Sequence, residues 1–316
     1  MNKAKYLLFL KKYKSIYILI ILLLVISIVR PAFYSSANLS NLFLKVSIQG
    51  IIGFGMTFVL IAGEFDMSVG SILTLSGIVF AAVIQHSSFV VAVCAALGTG
   101  MLAGIINGTM ISRMKLSSFI ATLGAQYVYK AIALILNHGE PINITNPTAV
   151  AISNFRFAGN TIYPFLFLFS GLITAYVLRR TRLGRNLYAV GGNKETAANS
   201  GINVQKNKTI AFIIVCMASA LAGILMSLRL QSATTIAGDD TSLTVISSVI
   251  IGGTSPAGGI GGAAESFIGL MIIAIITSSL DLMNISGYYQ QVIQGLLTVL
   301  IIGATSYANY RKVSSI

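Results

Sequence analysis

The chain has 316 residues, of which 55% are hydrophobic and only 9% are charged, and its mean hydropathy is +0.85. Soluble domains carry charge at about a quarter of their positions, so this composition excludes a soluble enzyme, a disordered regulator and a small secreted scaffold. Basic residues outnumber acidic ones by 21 to 8. In a soluble protein this excess would suggest a nucleic-acid partner, whereas in a membrane protein it indicates which side of the bilayer the loops occupy.

Ten apolar segments follow one another, and each is predicted to be a helix. A helix of about 20 apolar residues crosses a bilayer, and the eighth segment is too short to do so without its flanks. The sequence therefore predicts an all-α polytopic membrane protein with a single transmembrane domain over 1–316. An alternative for the first segment is a signal peptide, because small residues follow it at 35–37. The segments lie near 14–30, 42–62, 68–86, 88–111, 117–137, 162–180, 208–230, 241–252, 262–282 and 288–306.

The basic residues predict the orientation of these helices. With ten crossings and a cytoplasmic N-terminus, 16 basic residues face the cytoplasm and 4 face outwards, and the C-terminus is cytoplasmic too. Seven of the 16 flank or lie within the loop at about 181–207, and five, from Lys3 to Lys14, precede the first helix. The outer four are Arg30, Lys45, Arg156 and Arg229.

An acidic stretch from Gly63 to Ser71 separates the second and third segments. Glu64 and Asp66 are costly between apolar helices unless they are hydrated, capped or paired. Asp66 or Ser68 can cap the start of the third helix. Alternatively, the stretch is a broken helix that lines a cavity, with an ion or proton site at one of the two carboxylates.

A polar, basic loop follows the sixth segment. Gly191, Gly192 and Asn193 are predicted to form a turn before a short helix, with Asn193 as its N-cap. Glu195 falls in the first turn, where a negative charge suits the helix dipole, and Gly201 is the predicted C-cap. Such a helix outside the membrane is either a docking surface for a cytoplasmic partner or an elaborate connection.

A glycine-rich stretch follows the eighth segment. Because no Gly-Lys pair occurs anywhere in the chain, this stretch is not a phosphate-binding loop of the Walker type. It is predicted to be a tight turn or a hinge between half-helices, formed by Gly252, Gly253, Gly258 and Gly259.

Polar residues within the predicted helices are the candidates for a translocation path. They can hydrogen-bond a polar solute or simply join helices to one another. Gln290 and Gln294 share one helix face. The sequence shows no catalytic constellation and no metal-binding motif, and Gly100, Gly104 and Gly108 are predicted to let two helices pack closely. The intramembrane candidates are Gln49, Asn107, Gln126, Gln290, Gln291 and Gln294.

Three stretches, in this order, resemble the permease subunits of bacterial ABC importers of the ribose, galactose, xylose and autoinducer type. Gly63 to Ser71 is similar to G-G-[IF]-D-L-S-V-G-S. Arg179 to Val204 is similar to R-R-T-x-[FL]-G-R…A-x-G-G-N-x-x-A-A-x-x-S-G-I-N-V. Gly252 to Gly262 is similar to G-G-T-S-x-x-G-G-x-G, and the resemblance covers about 38–306.

The resemblance implies a half-transporter in the bacterial cytoplasmic membrane that imports a small polar solute, most simply a monosaccharide. A second copy or a homologue would pair with it. Two cytoplasmic ATPases would hold ATP and Mg²⁺, an external solute-binding protein would deliver the sugar, and this chain would bind no cofactor. The implied ATPase-coupling residues are Gly191, Gly192, Asn193, Glu195, Thr196, Ala197 and Gly201.

The chain also departs from the family pattern. Glu64 stands where the family usually has its second glycine, Met67 replaces leucine, and Thr244 occupies a common aspartate position. These departures leave the sugar open. The chief rival hypothesis is an ion-driven secondary transporter, which would need a charge relay among Glu64, Asp66, Lys130 and Asp281; a membrane enzyme is the second rival.

Overall fold

A computed structural model of the chain describes residues 14–157 and 159–313. The lysines from Lys3 to Lys12, which contribute to the predicted orientation and to the signal-peptide alternative, lie outside the described residues. Thirteen α-helices and one short 3₁₀ helix occur within the described ranges. The α-helices are α1 (Lys14–Val29), α2 (Ser36–Ile61), α3 (Val69–Ile84), α4 (Phe89–Ser112), α5 (Ser118–Asn137), α6 (Pro147–Asn154), α7 (Tyr163–Arg180), α8 (Arg182–Gly192), α9 (Lys194–Asn199), α10 (Val204–Leu230), α11 (Thr241–Gly252), α12 (Ala263–Leu282) and α13 (Gly287–Val313), and the 3₁₀ helix is Pro31–Tyr34.

Each of the ten predicted apolar segments contains a helix, although several begin earlier than predicted. For example, α2 begins at Ser36 because the Ser35 side chain accepts a hydrogen bond from the Asn38 N–H at 3.3 Å. Of the described helices, α2, α4, α5, α10 and α12 are long and apolar enough to cross a membrane, while α1, α3 and α11 are apolar but shorter. The chain is thus a largely helical, polytopic membrane protein.

The bundle has two distinct ends. One end carries α8, α9 and the turn between α11 and α12, and we call it the α9 side. The opposite end carries two antiparallel ladders, and we call it the β side. The ladders were not predicted; they pair β1 (Ile142–Asn143) with β4 (Ser232–Ala233), and β2 (Arg156–Phe157) with β3 (Asn160–Thr161). Helices α2 and α10, at about 1.5 Å per residue, span some 40 Å between these sides.

Helix α10 lies at the centre of the bundle, against α2, α3 and α4. The predicted close packing by Gly100, Gly104 and Gly108 is confirmed, because all three face α10. A Cβ at Gly104 would lie 2.5 Å from the Cα of Ile213, and one at Gly108 would lie 2.8 Å from the Cα of Thr209. Glycine therefore lets the two helix backbones approach along three turns.

Apolar side chains cover the outer surface as well as the core. Helices α4, α5 and α7 expose large apolar residues such as Leu102, Ile120 and Leu172, whereas α2 is largely enclosed from Val46 to Ile61. An exposed apolar surface of this extent is unusual for a soluble monomer. It is the surface expected of helices that contact lipid.

Candidate translocation and coupling site

The chain between α2 and α3 is a non-helical break over 62–68. Its backbone is held by α5: the Phe65 N–H donates to Ser118 Oγ at 3.2 Å, and the Met67 N–H donates to Thr122 Oγ1 at 2.9 Å. Irregular backbone is tolerated inside a membrane protein only when its polar groups are satisfied in this way. The break is therefore a built element of the bundle.

Glu64 in this break is paired with two lysines. Its carboxylate accepts hydrogen bonds from Lys208, in the first turns of α10, and from Lys194 of α9, the latter at 3.1 Å. Burial of the carboxyl raises its pKa. The hydrogen bonds from Lys208 and Ser118 and the charges of both lysines lower it more, so the pKa of Glu64 lies below its ordinary value of 4.5.

Asp66, two residues later, lies in a neutral cluster and is fully buried. One carboxylate oxygen accepts from the Ser68 N–H at 2.8 Å and from the Ser68 hydroxyl at 2.6 Å. The other accepts from Asn107 Nδ2 at 3.4 Å and from the Cys216 thiol at 3.5 Å, and Tyr129 donates to Asn107 Oδ1 at 2.9 Å. None of the described residues gives Asp66 a charged partner, and Asn107 here joins α4 to the break.

The predicted caps of α3 are only partly realised. Ser68 occupies the N-cap position, but its side chain accepts no capping hydrogen bond. Asp66 instead binds the backbone N–H of Ser68 itself, one residue ahead of the helix. The carboxylate therefore closes a local turn and does not satisfy the first turn of α3.

The predicted turn at Gly191 and Gly192 is wrong, because the chain is helical through Gly192 as the end of α8. Asn193 alone breaks the helix, since its backbone is extended, and its side chain caps α9 by accepting from the Thr196 N–H at 2.8 Å, as predicted. At the other end Gly201, with a φ of +80°, completes a Schellman-type cap. Helix α9, which contains Glu195, Thr196 and Ala197, is thus a separate short helix outside the apolar bundle.

The three stretches that carry the family resemblance meet on the α9 side, at a contact we call the junction: Ile61, Gly63, Gly191, Gly258 and Gly259. The Gly259 N–H donates to the Ile61 carbonyl oxygen at 2.9 Å. A Cβ at Gly191 would overlap that carbonyl, and a Cβ at Gly258 would lie 2.9 Å from the Gly191 Cα and 3.0 Å from the Gly63 Cα. Backbone therefore touches backbone, and only glycine fits.

The glycine-rich stretch connects α11 to α12. Gly253, Gly258 and Gly259 have φ values of +122°, +91° and +72°, which L side chains rarely adopt. Gly252 is the last residue of α11, and a Cβ there would overlap the backbone of α12 at Glu265. The stretch is thus a tight turn between closely packed helices.

On the β side, a cavity of about 280 Å³ opens between the helices. It contains two of the predicted path residues, Gln49 of α2 and Gln294 of α13. Gln294 also contacts Thr244 of α11 at 3.2 Å and Thr277 of α12 at 3.4 Å. The lining residues are Lys45, Val46, Ile48, Gln49, Leu73, Met226, Arg229, Ala237, Thr241, Ala274, Thr277 and Gln294.

Arg229, near the end of α10, was not predicted to belong to the path. Its guanidinium has no hydrogen bond or ion pair with any described residue, whereas Lys45 in the same cavity is paired with Asp281. Arg229 is thus a free donor facing the cavity. The sequence offers one signal, a charge near the end of an apolar helix, but the pattern of basic residues assigns this charge only to the outer side.

The other predicted path residues lie elsewhere. Gln290 is buried and donates to Asp281 Oδ1 and to the Ile285 carbonyl, both at 2.9 Å. Gln291 donates to Asp240, and half-buried Gln126 of α5 is not among the residues that line the cavity. Although Gln290 and Gln294 share a helix face, only Gln294 reaches the cavity.

The four charges required for an ion relay are separated from one another. Within the described residues, Asp281 pairs with Lys45, Lys130 with Asp239, and Glu64 with the two lysines. Asp66 lies in its neutral cluster. No ion pair links any of the four candidates to another, so the described residues supply no relay of that kind.

Known proteins resemble the chain over most of its length. The family model described as "Branched-chain amino acid transport system / permease component" matches residues 38–302. The ribose import permease protein of Bacillus subtilis is 36% identical over 90% of this chain and 89% of its own, and that of Haemophilus influenzae is 33% identical over 96% of each. The L-arabinose transport system permease protein of Escherichia coli is 30% identical over 95% of this chain and 91% of its own. No solved structure gives a significant match.

These matches establish the family predicted from the three stretches. A permease component is a transport subunit and not an enzyme, and ATP hydrolysis belongs to a separate ATPase. The apolar helices agree with a multi-pass protein of the bacterial cytoplasmic membrane. The chain belongs to the permease family of ABC importers, among the members that include the sugar permeases.

Proposed function

We propose that this permease imports a monosaccharide through the cavity on the β side. The cavity itself carries the proposal. Its volume of about 280 Å³ lies just below the range of about 300–1,000 Å³ that is typical of ligand sites. Its polar side chains, among them Gln49, Arg229 and Gln294, suit the many donors and acceptors of a sugar. The relatives named for ribose and L-arabinose import support the same substrate class.

The path would need a second permease, either another copy or a homologue, because an ABC importer has two membrane halves. Two cytoplasmic ATPases would hold ATP and Mg²⁺, and a solute-binding protein would deliver the sugar to the β side. Lipid would surround the exposed apolar faces of α4, α5 and α7. We propose that this chain forms one permease domain over 1–316 and binds no cofactor of its own.

The ATPase would dock on α9. This helix lies outside the apolar bundle, and Glu195 and Thr196 on it are exposed. Its base is fixed to the bundle through the junction, where Gly191 adjoins the end of α2 and the glycine-rich turn. A displacement of α9 would therefore be transmitted through the junction to α2 and to the turn between α11 and α12.

The α9 side would face the cytoplasm. Arg113, Lys115, Arg182, Arg185 and Lys206 are on or next to that side, and the β side holds the four basic residues predicted to face outwards. Positively charged loops remain in the cytoplasm. We therefore propose ten crossings, with α6, α8 and α9 outside the membrane and both termini in the cytoplasm.

The experiment is reconstitution of the permease in liposomes, with or without its ATPase, in the presence of its solute-binding protein. Uptake of radiolabelled ribose or arabinose should require both the ATPase and ATP. Uptake driven by an ion gradient without the ATPase would overturn the proposal in favour of a secondary transporter.

A second measurement tests the docking site. Glu195→Arg should abolish the increase in ATP hydrolysis on assembly while leaving membrane insertion intact, because it reverses a charge on the docking face. Normal hydrolysis in this variant would remove α9 from the proposed interface.

A further inference from the structure

The ion-paired triad of Glu64, Lys194 and Lys208 joins α9 to the break between α2 and α3. The three residues come from three elements that are far apart in sequence: the break, α9 and α10. Their contacts are independent of the junction, which is made of backbone and glycine. The triad is therefore a second connection between α9 and the bundle.

The two lysines of the triad are placed very differently. The side chains of Lys208 and Glu64 are each 9% exposed, whereas that of Lys194 is 54% exposed. Removing a partner from a buried ion pair is costly, while an exposed pair exchanges readily with water. The Glu64–Lys208 contact is thus suited to be permanent, and the Glu64–Lys194 contact can be made and broken.

The surroundings of Lys194 leave room for such a change. A cleft of about 770 Å³ lies beside α9 and is lined by Glu64, Lys115, Lys194, Glu195 and Lys208, among others. Helix α9 has only six residues and is joined to α8 through the single extended residue Asn193. A rotation about Asn193 would separate Lys194 from Glu64, and the cleft leaves space beside the lysine.

Glu64 is in turn fixed to the element that leads to the cavity. The residues after it are bound to α5 by Phe65 and Met67 and lead directly into α3. On α3, Leu73 lines the cavity on the β side, and Thr74 accepts from the Gly238 N–H at 3.1 Å. A force applied to Glu64 therefore acts on a helix that borders the proposed sugar path.

We propose that Glu64 is a positioning residue that couples α9 to the α2–α3 break, through a Lys194 contact that changes as the ATPases move. The proposal rests on the docking role of α9. It also gives a physical role to a departure from the family pattern, because the glycine usual at this position has no side chain with which to reach either lysine.

A double-mutant cycle tests the proposal in the complete reconstituted importer. The quantity measured is the amount of radiolabelled sugar taken up per ATP hydrolysed, with the sugar that the wild-type complex transports. Lys194→Met should lower this ratio by up to about fivefold, the size expected from the loss of one half-exposed ion pair. Lys206→Met is the matched control, because Lys206 is an exposed lysine close by with no ion pair among the described residues.

The second single variant of the cycle is Glu64→Gln. The double variant should be no worse than Glu64→Gln alone, because Lys194 acts through Glu64. A purely structural role would lower the melting temperature while leaving the uptake ratio unchanged. If Glu64→Gln fails to fold with Lys208 left unpaired, Lys194→Met against Lys206→Met still decides the question, because Lys194 is half exposed.

Two results would overturn the proposed role of the Glu64–Lys194 contact. The first is an uptake ratio in Lys194→Met equal to that in Lys206→Met, and the second is losses that add in the double variant. Glu195→Arg separates this failure from that of the proposed function. If Glu195→Arg abolishes ATPase coupling while Lys194→Met has no effect, α9 docks the ATPase and only the proposed role of the Glu64–Lys194 contact is wrong. If neither variant has an effect, the docking role of α9 fails as well.

Discussion

The two ends of this permease are formed by different kinds of contact. On the α9 side, the junction is backbone against backbone, with Gly191, Gly258 and Gly259 in contact and no room for a side chain. On the β side, the cavity is bordered by long polar side chains such as Gln49, Arg229 and Gln294. A backbone contact transmits a displacement without slack, because no rotamer can absorb it. By contrast, substitution of the side chains that line a cavity can change which ligand it binds while the fold stays the same.

The largest expected effect comes from adding one methyl group to the junction. Gly191→Ala places a Cβ onto the Ile61 carbonyl oxygen, so either α8 or α2 has to move. Overpacking costs about 1–3 kcal/mol even when side chains can adjust, and here the neighbour is backbone. We expect a lower melting temperature and loss of ATP-driven uptake, measured in reconstituted complexes.

Gly192→Ala is the matched control for this change. Gly192 is the next residue of the same helix, and a Cβ there would meet nothing within 4 Å. It should transport at close to the wild-type rate. If Gly191→Ala and Gly192→Ala lose transport equally, the flexibility of glycine, and not the close approach at Gly191, explains both losses.

The junction also illustrates what the sequence could provide. The apolar segments predicted ten of the described helices, and Asn193 and Gly201 predicted the limits of α9, because periodicity and capping are local signals. The predicted turn at Gly191 and Gly192 is wrong, because a pair of adjacent glycines is typical of a turn but here continues a helix. In the structure Gly191 is helical, and its requirement for glycine comes from Ile61, 130 positions earlier.

The site was less predictable than the fold for the same reason. Nothing in the local spacing indicates that Glu64 pairs with Lys194 and Lys208, or that Gln294 reaches the cavity while Gln290 does not. The sequence indicates an outward-facing charge at Arg229 but not its place in the cavity. Partners brought together by helix packing leave no periodic trace in a single sequence, so the chemistry of individual residues was predictable and their grouping was not.

A smaller effect is expected in the cavity, where side chains can be exchanged. Gln294→Leu removes an amide that faces the cavity and keeps a side chain of similar size. Leaving a buried hydrogen-bonding group of the ligand unpaired costs about 1–3 kcal/mol. The apparent KM for sugar uptake should therefore rise about 5- to 150-fold. The melting temperature should fall only slightly, because the contacts that are lost with Thr244 and Thr277 are long.

Gln290→Leu sharpens this test, because Gln290 lies one turn earlier on the same face of α13. Its amide binds Asp281 and the Ile285 carbonyl and does not line the cavity. This variant should lower the melting temperature and leave KM close to the wild-type value. The opposite pattern in the two variants would show that the path does not pass through the cavity.

The smallest effect should come from acid, at the two ion pairs that Glu64 forms with Lys194 and Lys208. The pKa of Glu64 is below its ordinary value of 4.5 in the folded protein, because its lysine partners and hydrogen bonds outweigh burial. A lowered pKa of an acid contributes stability above the ordinary pKa, and that contribution is lost as the pH falls through the folded pKa. The melting temperature of the wild type should therefore exceed that of Glu64→Gln at pH 7, and the difference should shrink once the pH falls below 4.5. Lys206→Met provides the control, since Lys206 forms no ion pair among the described residues. A difference between the wild type and Glu64→Gln that persists unchanged in acid would mean that Glu64 stabilises the break through its shape and not through its charge.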